Sequence, residues 1–238
     1  MDSKANPTSP AKESWWHLIR NLLIFLAIIG FFSFGAFIFA APFGWLSQPE
    51  SRLAVFLVGS IIGEWIAFVV LVWVIRRQRL YLRDLGWGQP TSVLGLSLAL
   101  LITLVYSGIT AANPQVGSHL LQWSPLKGLA LIAALTAGIV EETIFRGYVI
   151  NAVGRMKYRG YLQVLVSGFA FALAHVYGFS SPASYLISLI FTFFLGIGLA
   201  IVYLIGKKSL TPVILSHFLI DAVIEPWLLL SFFTGPGK

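Results

Sequence analysis

Val140-Glu141-Glu142-Thr143-Ile144-Phe145-Arg146-Gly147 lies inside an apolar segment that runs from Leu126 to Val153. A lipid-embedded segment does not carry three ionisable groups without a reason, because each is costly in hydrocarbon. On a helix Glu142 and Arg146 stand at i and i+4 and can pair, whereas Glu141 is rotated by about 100° and stacks over Phe145. Pairing accounts for Glu142 and leaves Glu141 unexplained. A carboxylate in low dielectric either takes up a proton or works in a site that controls its charge, so Glu141 is the residue to follow.

The surroundings of this stretch set the class. The chain has 238 residues, 58% hydrophobic and 11% charged, with a mean hydropathy of +0.85, well to the apolar side of soluble proteins. The expected fold is all-α, a polytopic membrane bundle of seven to eight transmembrane helices with no room for a separate soluble domain. A formal net charge of +7 would suggest nucleic acid in a soluble chain. Here the basic residues fall in short loops between apolar runs, which is topology control, and nucleic acid is not an expected partner. The absence of cysteine excludes disulfides, a thiolate metal site, a catalytic thiol and a prenyl or palmitoyl anchor. Any nucleophile is then a hydroxyl, a carboxylate or an activated water.

Residues 1–14 read as a polar, disordered cytoplasmic tail, and residues 15–125 as three spans: Leu22 to Ala41, Leu53 to Ile75 with a buried Glu64, and Val93 to Ala111. Asn113 to Lys127 reads as a solvated loop containing His119. Residues 126–238 form the expected functional core, with spans from Leu126 to Gly154, Tyr161 to Tyr177, Leu186 to Ile205 and Val213 to Phe233. Lys and Arg number 3, 4, 3 and 2 in alternate connections, against Arg52, Lys127 and Lys238 in the others. This asymmetry places the amino terminus in the cytoplasm. No internal repeat or inverted pair of broken spans marks a transporter.

At membrane depth the polar groups are Glu64, Glu141, Glu142, Arg146, His175, His217, Asp221 and Glu225. Glu64 beside Trp65 reads as a hydrogen-bonded packing residue and Glu225 before Pro226 as interfacial. His217 and Asp221 share a helical face at a spacing of four. Together with Glu141 and His175 they put two imidazoles and two carboxyl groups on three spans. Three chemistries use such a set. Glu141 can act as general base on a water polarised by His175, with His217 and Asp221 serving the oxyanion. Zinc can be held by His175, His217 and a carboxylate, although no HExxH spacing supports it. A proton relay for transport is the third.

Glu141-Glu142-x-x-x-Arg146, Phe171-x-x-x-His175 and His217-x-x-x-Asp221 resemble, in order and approximate spacing, the three motifs of the CPBP family, which comprises CAAX prenyl endopeptidases and bacteriocin-processing or immunity-type (Abi) homologues. The resemblance covers Leu126 to Phe233. It implies an intramembrane glutamic endopeptidase acting on a membrane-associated protein or peptide in the lipid bilayer, without a cofactor or metal. By the same resemblance Glu141 is the catalytic base, His175 its partner, His217 and Asp221 the oxyanion stabilisers, and Glu142 and Arg146 a supporting ion pair. Asp221 departs from the Asn of eukaryotic members. Compact loops suggest a bacterial cytoplasmic membrane, where prenylated CAAX substrates are not expected. The alternatives are a non-proteolytic scaffold or regulator of the immunity type, and a proton-coupled transporter.

A count at about 1.5 Å per residue puts Glu141 near mid-membrane, His217 toward the cytoplasm and His175 near the outer end of its span. Straight helices do not bring them together. A displaced or broken helix is therefore expected, with Gly147, Gly154 and Gly160 as candidate hinges.

Overall fold

The computed structural model describes residues 13–175 and 182–234, and within them the chain is helical with no strand. Five helices are long and apolar enough to cross a membrane. They are Trp15–Ala40 (α1, continued to Phe43 by a short turn), Pro49–Arg77 (α2), Val93–Ala111 (α3), Pro125–Arg155 (α4) and the helix Pro182–Ile205 (α6), spanning from Leu186. Two shorter apolar helices, Gly160–Ala174 (α5) and Thr211–Ile224 (α7), and the terminal Trp227–Thr234 (α8) complete the bundle. With its apolar exterior this is a multi-pass membrane protein.

Local chemistry explains where the helices begin and end. Ser92 and Ser124 accept hydrogen bonds from the amides of Gly95 and Lys127, and Pro125 occupies the first turn of α4, where its missing N–H costs nothing. The expected last span, Val213 to Phe233, is not continuous. Pro226 cannot continue the helical ladder, Glu225 before it is extended (φ −95°, ψ 153°), and the chain restarts as α8.

Two other sequence expectations are corrected. Most of the expected 1–14 tail lies outside the described residues, but Glu13 is buried against Arg155 at 2.5 Å and Ser14 caps α1. The loop expected to run to Lys127 stops at Ser124. Lys127 is buried in the first turn of α4, and its ammonium donates to the carbonyls of Ala222 (2.6 Å) and Glu225, closing the open end of α7.

The four basic connections meet at one end of the bundle. Arg155 reaches Gln78 at 2.8 Å, the Trp15 indole donates to the Tyr158 hydroxyl at 3.0 Å, and the Leu210 amide donates to Gly86 O at 3.3 Å. Helices in lipid associate through close packing more than through apolar burial, so small residues mark the tightest crossings. A Cβ on Gly196 would lie 2.9 Å from Cα of Gly168, which lets α5 and α6 touch. A Cβ on Gly138 would lie 3.1 Å from Ile214 O, which brings α4 equally close to α7. Both crossings sit beside the polar cluster.

Candidate active site

Glu141 and Glu142 end the α-helical part of α4, and the next seven residues, Thr143–Val149, form a π-helical turn before the α-helix resumes at Ile150. Such turns widen the helix and free backbone carbonyls that need outside donors. The Ser167 hydroxyl supplies one, to Phe145 O at 2.9 Å. No break occurs at Gly147; Gly154 lies one residue before the end of α4 and Gly160 is the first residue of α5, so neither interrupts a helix. The expected hinge is a continuous helix carrying a π turn.

The depth problem resolves at α5. Glu141 lies fourteen residues before Arg155 and His175 fifteen after Gly160, or about 21 to 23 Å from the basic end in both cases. The fifth helix ends at Ala174, with His175 as its cap. The extension of that span to Tyr177 lies outside the described residues.

The two adjacent glutamates have opposite surroundings. Glu142 is wholly buried. One of its oxygens, Oε1, accepts from Arg146 Nη1 at 2.8 Å and stands 2.8 Å from His217 Nδ1. Arg146, equally buried, donates from Nη2 to Gly196 O at 3.3 Å and lies 4.3 Å over the Phe171 ring. The far nitrogen of His217, Nε2, is 3.2 Å from Asp221 Oδ2. His217 thus bridges two carboxylates, and both ring nitrogens face one. Phe171 packs edge-on to His217, with centroids 5.6 Å apart, and closes this side.

Glu141 faces the other way. Its Oε2 accepts no hydrogen bond among the described residues and stands 3.6 Å from His175 Nε2. That is too long for a direct bond, yet short enough for one water lying beside both atoms to touch each. His175 Nδ1 is 2.8 Å from Phe171 O. A carbonyl only accepts, so Nδ1 carries a proton and Nε2 is the nitrogen turned to Glu141.

Glu141, His175, His217 and Asp221 line one cavity of about 170 Å³, room for several waters. The six motif residues therefore form a continuous cluster: Arg146–Glu142–His217–Asp221 on one side and Glu141–His175 on the other. Glu64 and Glu225 line the same cavity, a position the sequence reading did not give them. Their signal was present as charge at membrane depth; which way each side chain points was not. A second cavity, between α1, α2 and α5, shares Glu64 and Glu141 with the first, so the two meet at these carboxyl groups.

His217 has no nitrogen turned away from a carboxylate, and among the described residues no three His, Asp or Glu side chains form a group able to hold an ion.

No curated protein and no solved structure gives a significant match to the chain. Residues 123–223 match the family described as type II CAAX prenyl endopeptidase Rce1-like. All three motifs fall inside that stretch, while Glu64 and Glu225 lie outside it. Over this segment the chain is similar to CAAX-type proteases, which supports the resemblance to the CPBP family.

Proposed function

We propose that the protein is an intramembrane endopeptidase that hydrolyses a peptide bond of a membrane-associated protein or peptide with a water activated by Glu141 and His175. The observation that carries this reading is the 3.6 Å separation of Glu141 Oε2 and His175 Nε2 at the wall of a cavity large enough for water, with Oε2 receiving no donor from the described residues. A water between them gives a proton to Glu141 as its oxygen attacks the scissile carbonyl carbon. The tetrahedral oxyanion collapses, the C–N bond breaks, and the proton on Glu141 passes to the departing amine nitrogen. Proton and oxygen are both accounted for without an oxidant, a nucleotide or a metal.

His217 and Asp221 line the same cavity as Glu141 and His175, which supports a part in stabilising the oxyanion, under one condition. Both His217 nitrogens already face carboxyl groups, so Asp221 serves the oxyanion either as a protonated donor or through the His217 ring that it holds. Glu142 and Arg146 hold that ring in place. The topology in this reading is seven crossings, the last shared by α7 and α8, in a bacterial cytoplasmic membrane with the amino terminus and the basic loops inside.

The test is a purified protein in liposomes offered a library of membrane-anchored peptides in ¹⁸O water, with products read by mass spectrometry. Cleavage with label in the new carboxylate is expected, unaffected by a chelator and abolished in Glu141→Gln and His175→Ala. Full activity in both variants overturns the reading, and reversible loss with chelator replaces it by a metal mechanism.

A further inference from the structure

The cavity is placed off-centre in the bundle, and its lining holds more carboxyl groups than basic side chains, four against the two imidazoles of His175 and His217. On α2 the lining runs from Phe56 to Glu64 and on α4 from Ala133 to Glu141, in each case the half of the helix away from the basic loops. Thr110, one residue before the end of α3, also lines it. The hollow therefore leads from the Glu141–His175 pair toward the end opposite Arg76, Arg155 and Lys207. By the positive-inside rule that end faces away from the cytoplasm.

Four carboxyl groups line this hollow, Glu64, Glu141, Asp221 and Glu225, and among the described lining residues there is no Lys or Arg. Arg146 is sealed behind Glu142, and Lys127 is spent on the end of α7. Glu64 is 6% exposed and its Oε2 has no hydrogen-bond partner. An entering cation finds a carboxyl group that can ionise beside it. An entering carboxylate finds no Lys or Arg among the described lining residues, and the His217 ring is already engaged by Glu142 and Asp221, so it must be desolvated among acids.

Resting on the hydrolase reading, we propose that the site takes its substrate from the membrane face opposite the basic loops, as an apolar peptide segment bearing positive charge, and not as a chain end with a free carboxylate. Glu64 and Glu225 select for that charge, outside the reacting atoms.

Two measurements test this, and neither needs turnover, so they fail independently of the hydrolysis itself. The chain has no cysteine, so single substitutions report without background. In intact cells a membrane-impermeant maleimide is expected to label Thr110→Cys, or Leu229→Cys should the first not fold, and to label Gln89→Cys only after permeabilisation. The reverse pattern overturns the access face. The second measurement uses wild-type protein in nanodiscs of neutral lipid and a fluorescent apolar peptide. One form carries two lysines and an amidated end; the other carries two glutamates and a free end. At least tenfold tighter binding of the cationic form is expected, falling below threefold in the double variant Glu64→Gln/Glu225→Gln. Equal or reversed affinities in the wild type overturn the charge selection.

Discussion

Glu141 and Glu142 are neighbours in sequence and lie in two different media. Around Glu142 the protein is fully buried and held by close contacts: Arg146, Glu142 Oε1, His217 and Asp221 form a chain of contacts between 2.8 and 3.2 Å, roofed by Phe171, although Glu142 Oε2 and Arg146 Nε have no hydrogen-bond partner among the described residues. Around Glu141 it is open, with one oxygen unmet among the described residues and His175 held just beyond hydrogen-bond length. One turn of helix supplies both because adjacent residues point about 100° apart. The dry side fixes geometry, and the wet side is left to chemistry.

That division predicts variants of different kinds, and the largest effect is on turnover. Glu141→Gln keeps the volume of the side chain and removes the base, so kcat is expected to fall by about 10²- to 10⁴-fold. Its melting temperature should stay at the wild-type value, since no hydrogen bond to Oε2 among the described residues is lost. Peptide cleavage and a thermal unfolding curve on the same preparation check both halves. A large drop in stability would show that Glu141 belongs to the sealed side after all.

Next comes the dry side, where the effect is on folding. Glu142→Ala leaves Arg146 and His217 without their shared carboxylate in a site with no exposure, at a cost of about 3 to 5 kcal/mol. The variant is expected to unfold at markedly lower temperature in detergent, with activity falling in step with the folded fraction. Arg146→Met, which strands Glu142 instead, should behave alike. Normal stability with lost activity in either would make Glu142 a participant in the reaction.

A third variant attacks the crossing that sets the two sides against each other. Gly138 has its would-be Cβ 3.1 Å from Ile214 O and 3.3 Å from Phe218 N. Gly138→Val forces α4 off α7 near His217, and such overpacking costs about 1 to 3 kcal/mol. Stability should fall less than in Glu142→Ala, whereas activity falls further than the folded fraction explains. Equal losses would mean that the crossing supports the fold alone.

How much of this was legible in the sequence follows from which interactions are local. The Glu142–Arg146 pair and the His217–Asp221 pair are one-helix facts, fixed by a spacing of four, and both are present in the structure. The all-helical fold and the apolar spans are written in hydropathy. The link from Glu142 to His217 spans 75 residues of sequence and depends on the Gly138 crossing, which no periodicity reveals. The π turn at Thr143–Val149 is likewise silent, because its extra residue per turn is stabilised by a hydroxyl from another helix, Ser167. Taking the end of the fifth helix for the outer membrane face misplaced His175 for a related reason. The fifth helix stops after 15 residues, so the histidine caps it at the depth of Glu141. Glu64 and Glu225 were visible as charges, but their direction is set by packing.

The smallest effect belongs to Asp221, which sits at the border between the two media, 3.2 Å from the sealed ring of His217 and 18% exposed toward the cavity. If its part is to hand a proton to the oxyanion, Asp221→Asn replaces an O–H donor by an N–H donor of nearly the same shape. The new amide can still face His217, accepting from Nε2 through its oxygen, so the bridge is kept in form. Activity within about tenfold of wild type is then expected, a change of about 1.4 kcal/mol at most, while Asp221→Ala should lose substantially more. If the carboxylate charge itself is what holds His217 as a cation, the two variants will fall together. The ratio of their kcat values therefore decides whether the border residue works for the wet side or the dry one.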